Sequence, residues 1–361
     1  MQTVQGIKRA TSDLSGNERF ALCLILAAVL LPAAAGAADY SQAAINQVGS
    51  GNSAAIEQQL TGHGSYAGIE QEGSSNIAAV QQGSLNEAGD PSIRASIDTH
   101  GDLNVINLIQ RDAFQSATVL QEGSSNQISI LQNEEEATLN VHQSGTAQTL
   151  RVQQNRLVSA TIDQIGDANV LQIDQGGRDN TMTVAQLGDR NNADLVQAGS
   201  GNQMQMLQQG NDNTASLTQS GTDNAAVVNQ LTNQGTVTLL QSGTRGDARI
   251  TQHQVGEANL AANVHQSGAQ DTANISQSGQ NNSLTLNQSG LQNEANISQS
   301  GQHNNMSLVQ VGNHTVANLT QGGSGGASDR GSFSVIQTGN NTKITIGTYG
   351  QNGKHVSAYQ D

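Results

Sequence analysis

Residues 169–177 read Asn-Val-Leu-Gln-Ile-Asp-Gln-Gly-Gly. Asn169, Leu171, Ile173, Gln175 and Gly177 fall on every second position, the period of a β-strand, so their side chains share one face. Val170, Gln172 and Asp174 take the other face. The phrase predicts a strand that runs into a turn. It recurs around a glutamine every eleven residues: Gln164, Gln175, Gln186, Gln197, Gln208, Gln219, Gln230, Gln241 and Gln252. A fixed short period signals an architecture of stacked units.

The same slot extends outward in both directions. It is followed at Gln47, Gln58, Gln71 and Gln82, at Thr99 as a degenerate member, and from Gln110 to Gln154. Beyond the regular run it continues from Gln266 to Gln321, then to Gln337, Thr348 and Gln360, which makes 28 slots. The positions two and four before every slot are apolar, alanine included. Longer gaps separate Gln82 from Thr99, Gln252 from Gln266, and Gln321 from Gln337. Each reads as a longer loop between stacked units, because the register resumes after it.

The composition excludes an ordinary core. Of 361 residues, 35% are hydrophobic and 2% aromatic, with no tryptophan. That is too little bulk for a rounded domain. Such a chain could be disordered, but disorder does not need apolar residues at two fixed offsets from a glutamine. The formal net charge of −15 excludes nucleic acid as a partner, since phosphate binding needs clusters of Lys and Arg.

Residues 1–37 read as a secretory signal peptide. Lys8, Arg9 and Arg19 form a basic flank, Phe20 to Leu31 is apolar, and Ala35-Gly36-Ala37 has the form of a cleavage site. Residues 38–361 form the repeat domain. They hold no stretch apolar enough to span a bilayer, so the mature chain is expected to have no transmembrane segment. The single cysteine, Cys23, lies within the signal.

Eleven residues hold about six in a strand and about five in a turn. One such strand cannot cover its own apolar face, but two successive strands folded face to face can. The fold predicted is therefore all-β: a β-solenoid of about 14 two-stranded coils, 28 strands in all, with amyloid-like stacking. Strands one coil apart would be parallel and in register, so like sits on like. Stacked identical amides can then satisfy one another. The expected ladder residues are the nine glutamines from Gln164 to Gln252 with Asn169, Asn180, Asn191, Asn202, Asn213 and Asn224. Gly177 and its equivalents permit the positive φ that a tight arc requires.

A rod of this kind has two ends with unpaired backbone groups. The first strand, with Ser41, Ala43, Ile45 and Gln47, carries the full motif and is the expected self-assembly edge. The last strand is weaker: Val356, Ala358 and Gln360, with Lys354 in the asparagine position. An uncapped end that matches its own sequence invites head-to-tail growth, a contact that does not close.

The stretch Ser41-Gln42-Ala43-Ala44-Ile45-Asn46-Gln47-Val48-Gly49-Ser50-Gly51-Asn52-Ser53-Ala54-Ala55-Ile56-Glu57-Gln58 resembles the curlin repeat, Ser-x5-Gln-x-Gly-x4-Asn-x5-Gln, with the asparagine one place nearer. The resemblance covers essentially residues 41–360. It implies an exported structural subunit of extracellular curli-like amyloid fibres, supporting cell adhesion and a biofilm matrix. It also implies the chain itself as partner, with other curlin subunits, a nucleator and an outer-membrane export pore. The chain departs from the family in having about 14 coils rather than about five repeats. No Gly/Asn-rich export segment stands between residue 37 and Ser41.

Asp167, Asp179, Asp189, Asp212 and Asp223 recur in the turns but shift position between repeats, and they read as solvated turn residues rather than a calcium edge. The eight histidines show no metal-ligand spacing. Catalysis needs a unique site, and a near-perfect repeat offers few, so no enzyme activity, cofactor or metal is expected. The competing reading is a soluble secreted β-solenoid that binds a surface or glycan as an adhesin. Its outward faces are mixed: Val170, Gln172 and Asp174, then Thr181, Thr183 and Ala185.

Overall fold

A computed structural model describes residues 41–59, 64–83, 92–257, 259–323, 331–348 and 355–360. The signal peptide expected at residues 1–37 and Lys354 lie outside them.

Period-two alternation becomes strand after strand. In Val170–Gly176 the residues Leu171, Ile173 and Gln175 are buried while Val170, Gln172 and Asp174 are exposed. The described chain forms 28 strands and no helix. They divide by parity into two 14-stranded sheets. The first, third and later odd strands make the odd sheet, and the others make the even sheet. Every neighbouring pair examined along the central run is parallel and in register, as in Gln164↔Gln186 and Gln175↔Gln197. Parallel strands need a crossover, and here the crossover from one strand to its neighbour is a strand of the facing sheet.

The two apolar positions of each strand meet between the sheets. Leu171 and Ile173, Met182 and Val184, Ala193 and Leu195, and Met204 and Met206 belong to one continuous buried cluster that runs from Ala54 to Val335. Each larger side chain contributes about 1.5–3 kcal/mol on burial. Aliphatic side chains and methionine fill the cluster, with Phe333 as the aromatic member among its buried residues.

Both sheets run through the three long gaps. Strand Tyr66–Ser74 pairs in register with Arg94–Asp102, and Asn304–Asn313 with Gly331–Asn340. The gap before Gln266 leaves a trace, a register shift between Leu231 and Asn233. The even sheet resumes its register at Thr236↔Ala261.

Candidate functional site: amide columns and open ends

The nine glutamines from Gln164 to Gln252 are fully buried at the edge of the apolar cluster. A buried primary amide needs partners for its oxygen and both N–H groups. Stacking in register supplies the first pair. In the odd sheet Nε2 of Gln164 donates to Oε1 of Gln186 at 2.9 Å, and the bond repeats from Gln186 to Gln208, Gln208 to Gln230 and Gln230 to Gln252. In the even sheet Gln175 donates to Gln197, Gln197 to Gln219 and Gln219 to Gln241, each at 2.9 Å. The second N–H crosses to the facing sheet. Gln175 Nε2 donates to the Ser159 carbonyl at 3.0 Å, Gln186 to Val170 at 3.2 Å and Gln197 to Thr181 at 3.1 Å. Gln175, Gln186 and Gln197 therefore each tie coil to coil and sheet to sheet.

The asparagines are also buried, but they do not stack amide on amide as expected. Asn169 Nδ2 donates to the carbonyls of Ile165 and Gly188, while its Oδ1 accepts the backbone N–H of Asn191 at 2.8 Å. Asn191 binds Gly210 and receives Asn213, and Asn213 binds Thr232 and receives Gly235. In the other turn Asn180 binds Gly176 and Gly199, Asn202 binds Ala198 and Gly221, and Asn224 binds Ser220 and Gly243. Their place in the turn sets this, since the turn carbonyls take their Nδ2 groups; asparagines on the strands do pair amide to amide, as Asn274 to Asn296 and Asn296 to Asn318, both at 2.9 Å.

Gly177 has φ +101°. A Cβ there would sit 1.9 Å from the Gly199 carbonyl oxygen, so close stacking requires glycine as much as the backbone angle does. The sequence pattern missed a second left-handed position, four after the glutamine. Asp179, Arg190, Asp212 and Asp223 lie there with φ between 55° and 59°. A non-glycine residue in this region costs roughly 1–2 kcal/mol. Its backbone N–H donates to the preceding coil, as from Asp179 to Leu157 and from Arg190 to Asp167, both at 2.8 Å. Serine, leucine and alanine occupy the equivalent places at Ser75, Leu103 and Ala168, so only the fixed offset could have marked it.

Some turn aspartates are engaged rather than merely solvated. Asp167 Oδ1 accepts the Thr146 N–H and Asp189 Oδ1 accepts the Asp167 N–H. Arg190 holds Asp212 through two bonds at 2.7 and 2.8 Å, which lowers the Asp212 carboxyl below its usual range. Asp179 and Asp223 serve the turn through their backbone.

The axial columns have a direction. In every glutamine pair described above the donor lies toward the N-terminal end. The even-sheet column starts at Gln58, which donates to Gln82 at 2.9 Å, and ends at Gln360, which accepts from Gln337 at 3.5 Å. Within the column, the first glutamine is left with an oxygen and the last with an N–H₂ group.

The two ends also show core that the interior covers. Ala67, Ile69 and Gln71 are buried in the third strand, whereas their register partners Ala43, Ile45 and Gln47 in Gln42–Ser50 are exposed or half-buried. Ser41, just before that strand, is half-buried. At the other end Ile344, Ile346, Val356 and Ala358 are half-buried against the cluster. The structure thus places all four expected edge residues on the outermost coil.

No curated protein matches the chain. The model of the curlin-associated repeat matches it three times, at residues 41–73, 177–210 and 210–243. Each match spans three glutamine slots, as in Gln186, Gln197 and Gln208. The buried glutamine columns, the glycine arcs and the two parallel sheets are the physical form of that repeat, which the chain carries at these three places.

Proposed function

We propose that the chain is a structural subunit that polymerises head to tail into extracellular curli-like fibres, serving adhesion and a biofilm matrix. The observation that carries this reading is the pair of open ends. The N-terminal coil offers exposed Ala43 beside half-covered Ile45 and Gln47, and the C-terminal coil offers half-covered Ile344, Ile346, Val356 and Ala358. Among the described residues no strand pairs with the outer edge of either end of the two parallel sheets, an arrangement that monomeric proteins usually suppress. Oxygen at the start of the even-sheet column and N–H₂ at its end suit the joining of unlike ends. Two N-terminal ends would oppose oxygen to oxygen.

The role is structural rather than catalytic, and the partner is a second copy of the chain. Other curlin subunits, a nucleator and an outer-membrane export pore belong to the same proposal, as does cleavage after residue 37. No helix among the described residues is long and apolar enough to cross a membrane.

The purified chain from residue 38 should convert at micromolar concentration into thioflavin-positive fibres with a cross-β reflection near ~4.8 Å. Paired Ala43→Lys and Ile45→Lys substitutions should slow elongation at least tenfold while leaving the β circular dichroism intact. A wild-type chain that stays monomeric for days would overturn the proposal and favour the ligand-binding solenoid.

A further inference from the structure

The turn column that holds Asn180, Asn202, Asn224 and Asn293 carries an aspartate at Asp271. Its side chain is as buried as its neighbours, with 2% of its surface exposed. One oxygen behaves like an asparagine oxygen: Oδ1 accepts the Asn293 N–H at 2.9 Å, as Asn224 Oδ1 accepts from Gly246. The other oxygen is anomalous. Oδ2 is buried and has no hydrogen-bond partner. In Asn224 and Asn293 the second atom is Nδ2, which donates to two carbonyls, Ser220 and Gly243 in one case and Ser289 and Gly312 in the other. The matching carbonyls at Asp271, by sheet register, are those of Ser267 and Gly290. A carboxylate offers them only lone pairs. A carboxylic acid has one O–H to give.

We propose that Asp271 is held as the neutral acid in the closed stack, and that the coils from Ala261–Ala269 to Glu294–Gln299 open more readily once it ionises. The neighbourhood makes the opening local. Gly235, Gly246 and Leu260 occupy the asparagine positions on the coils before it, so the turn amides are absent there too. The sheet register also shifts nearby, between Leu231 and Asn233.

Burial pushes the Asp271 carboxyl up to about 6, partly offset by its hydrogen bonds from Asn293. The ionisable groups on the packed elements are Arg245, Asp247, Arg249, His253 and Glu257 on the coil before, His265 on its own coil and Glu294 on the coil after. None of them contributes to the shift. A folded-state value above the unfolded one means that the stabilisation is fully present below about 4, and is lost as pH rises through about 6. This seam belongs to the single molecule and does not depend on whether the chain assembles.

The test is amide hydrogen exchange on the purified chain, kept below the concentration at which it assembles. Rates are normalised to unstructured-peptide rates at pH 5.0 and 7.5. Protection in residues 261–299 should fall by about tenfold between the two pH values, with residues 164–230 unchanged. Asp271→Asn, which restores both donors, should abolish the difference and raise protection at pH 7.5. Equal protection at both pH values, a loss spread evenly along the chain, or a loss that persists in Asp271→Asn would each overturn the proposal. Failure to form fibres would leave the outcome untouched.

Discussion

The two sheets solve the same stacking problem with different columns intact. In the even sheet the glutamine column runs unbroken from Gln58 to Gln360, crossing both long loops near Gln82 and Gln337. In the odd sheet it is interrupted at Thr99. There Thr99 Oγ1 and Gln121 Oε1 are buried without partners. The turns show the reverse bias. Those that follow odd strands keep glycine from Gly49 to Gly210, and asparagine at Asn52, Asn76, Asn104 and Asn126. Those that follow even strands hold Asp112, Glu134 and Arg156 in the glycine place, and Gln115, Ala137 and Val158 in the asparagine place, before glycine and asparagine take over at Gly177 and Asn180. The asparagine lapses of the turns that follow odd strands therefore do not coincide with the lapse of the glutamine column at Thr99. Where the odd-sheet glutamines fail at Thr99, the turn after it is fully braced, with Asn104 binding Gly123 and receiving Asn126. Where the asparagines lapse, from Gly235 to Asp271, both glutamine columns continue through Gln252 to Gln277 and Gln241 to Gln266. A stack of coils held by several parallel columns tolerates the loss of one at a time, because its neighbours keep the coil in register.

The contrast can be broken most sharply at the turns. Gly123→Ala follows an odd strand, and its Cβ would lie 2.0 Å from the Gly145 carbonyl oxygen at φ +104°. The backbone must move, so the expected loss is about 3 kcal/mol or more. Glu134→Ala, in the corresponding place after an even strand, is exposed and should change stability by no more than about 0.5 kcal/mol. Guanidinium midpoints of the two variants, read beside wild type, test the difference. Equal losses would mean that the two kinds of turn are equivalent.

A smaller difference is expected between the columns. Gln132→Met removes a side chain that accepts from Gln110 and donates to Gln154. It should cost about 2–3 kcal/mol, since Gln154 Oε1 is left buried and unpaired. Gln121→Met removes a glutamine that only donates, to Gln143, and whose own oxygen is already unpaired. Gln143 Oε1 then loses its donor, but the unpaired Gln121 oxygen leaves with the side chain, so the expected net cost is about 1 kcal/mol. The same chemical denaturation series gives both numbers, and a reversed order would contradict the column assignment.

The smallest effect is a repair. Thr99→Gln places an amide back into the odd-sheet column, next to the unpaired Gln121 oxygen. Stability should rise by about 1 kcal/mol, and the protection of Gln121 against exchange should rise with it. A neutral or harmful substitution would show that the coil at Thr99 has relaxed around the smaller side chain.

Much of this molecule could be read from the chain. The period-two phrase at Asn169–Gly177 and its recurrence determined strand, turn, parity and stacking, because a side-chain period of two and a unit of eleven leave one way to cover both apolar faces. The same recurrence placed Gln164 to Gln252 in buried columns and put Ala43, Ile45 and Gln47 on an outermost coil. Tertiary structure decided what each amide binds. Glutamine reaches its own copy and the facing sheet, whereas Asn169 and its equivalents bind the turn backbone, because the turn carbonyls lie within reach of their Nδ2 groups, which no spacing reveals. It also decided the left-handed residues at Asp179 and Arg190, whose conformation depends on a carbonyl one coil away rather than on residue type. Asp271 shows the limit most plainly. In the chain it is one more turn carboxylate, and only burial beside an oxygen-lined turn, with Oδ2 left without a partner, makes it a group whose charge the stack resists.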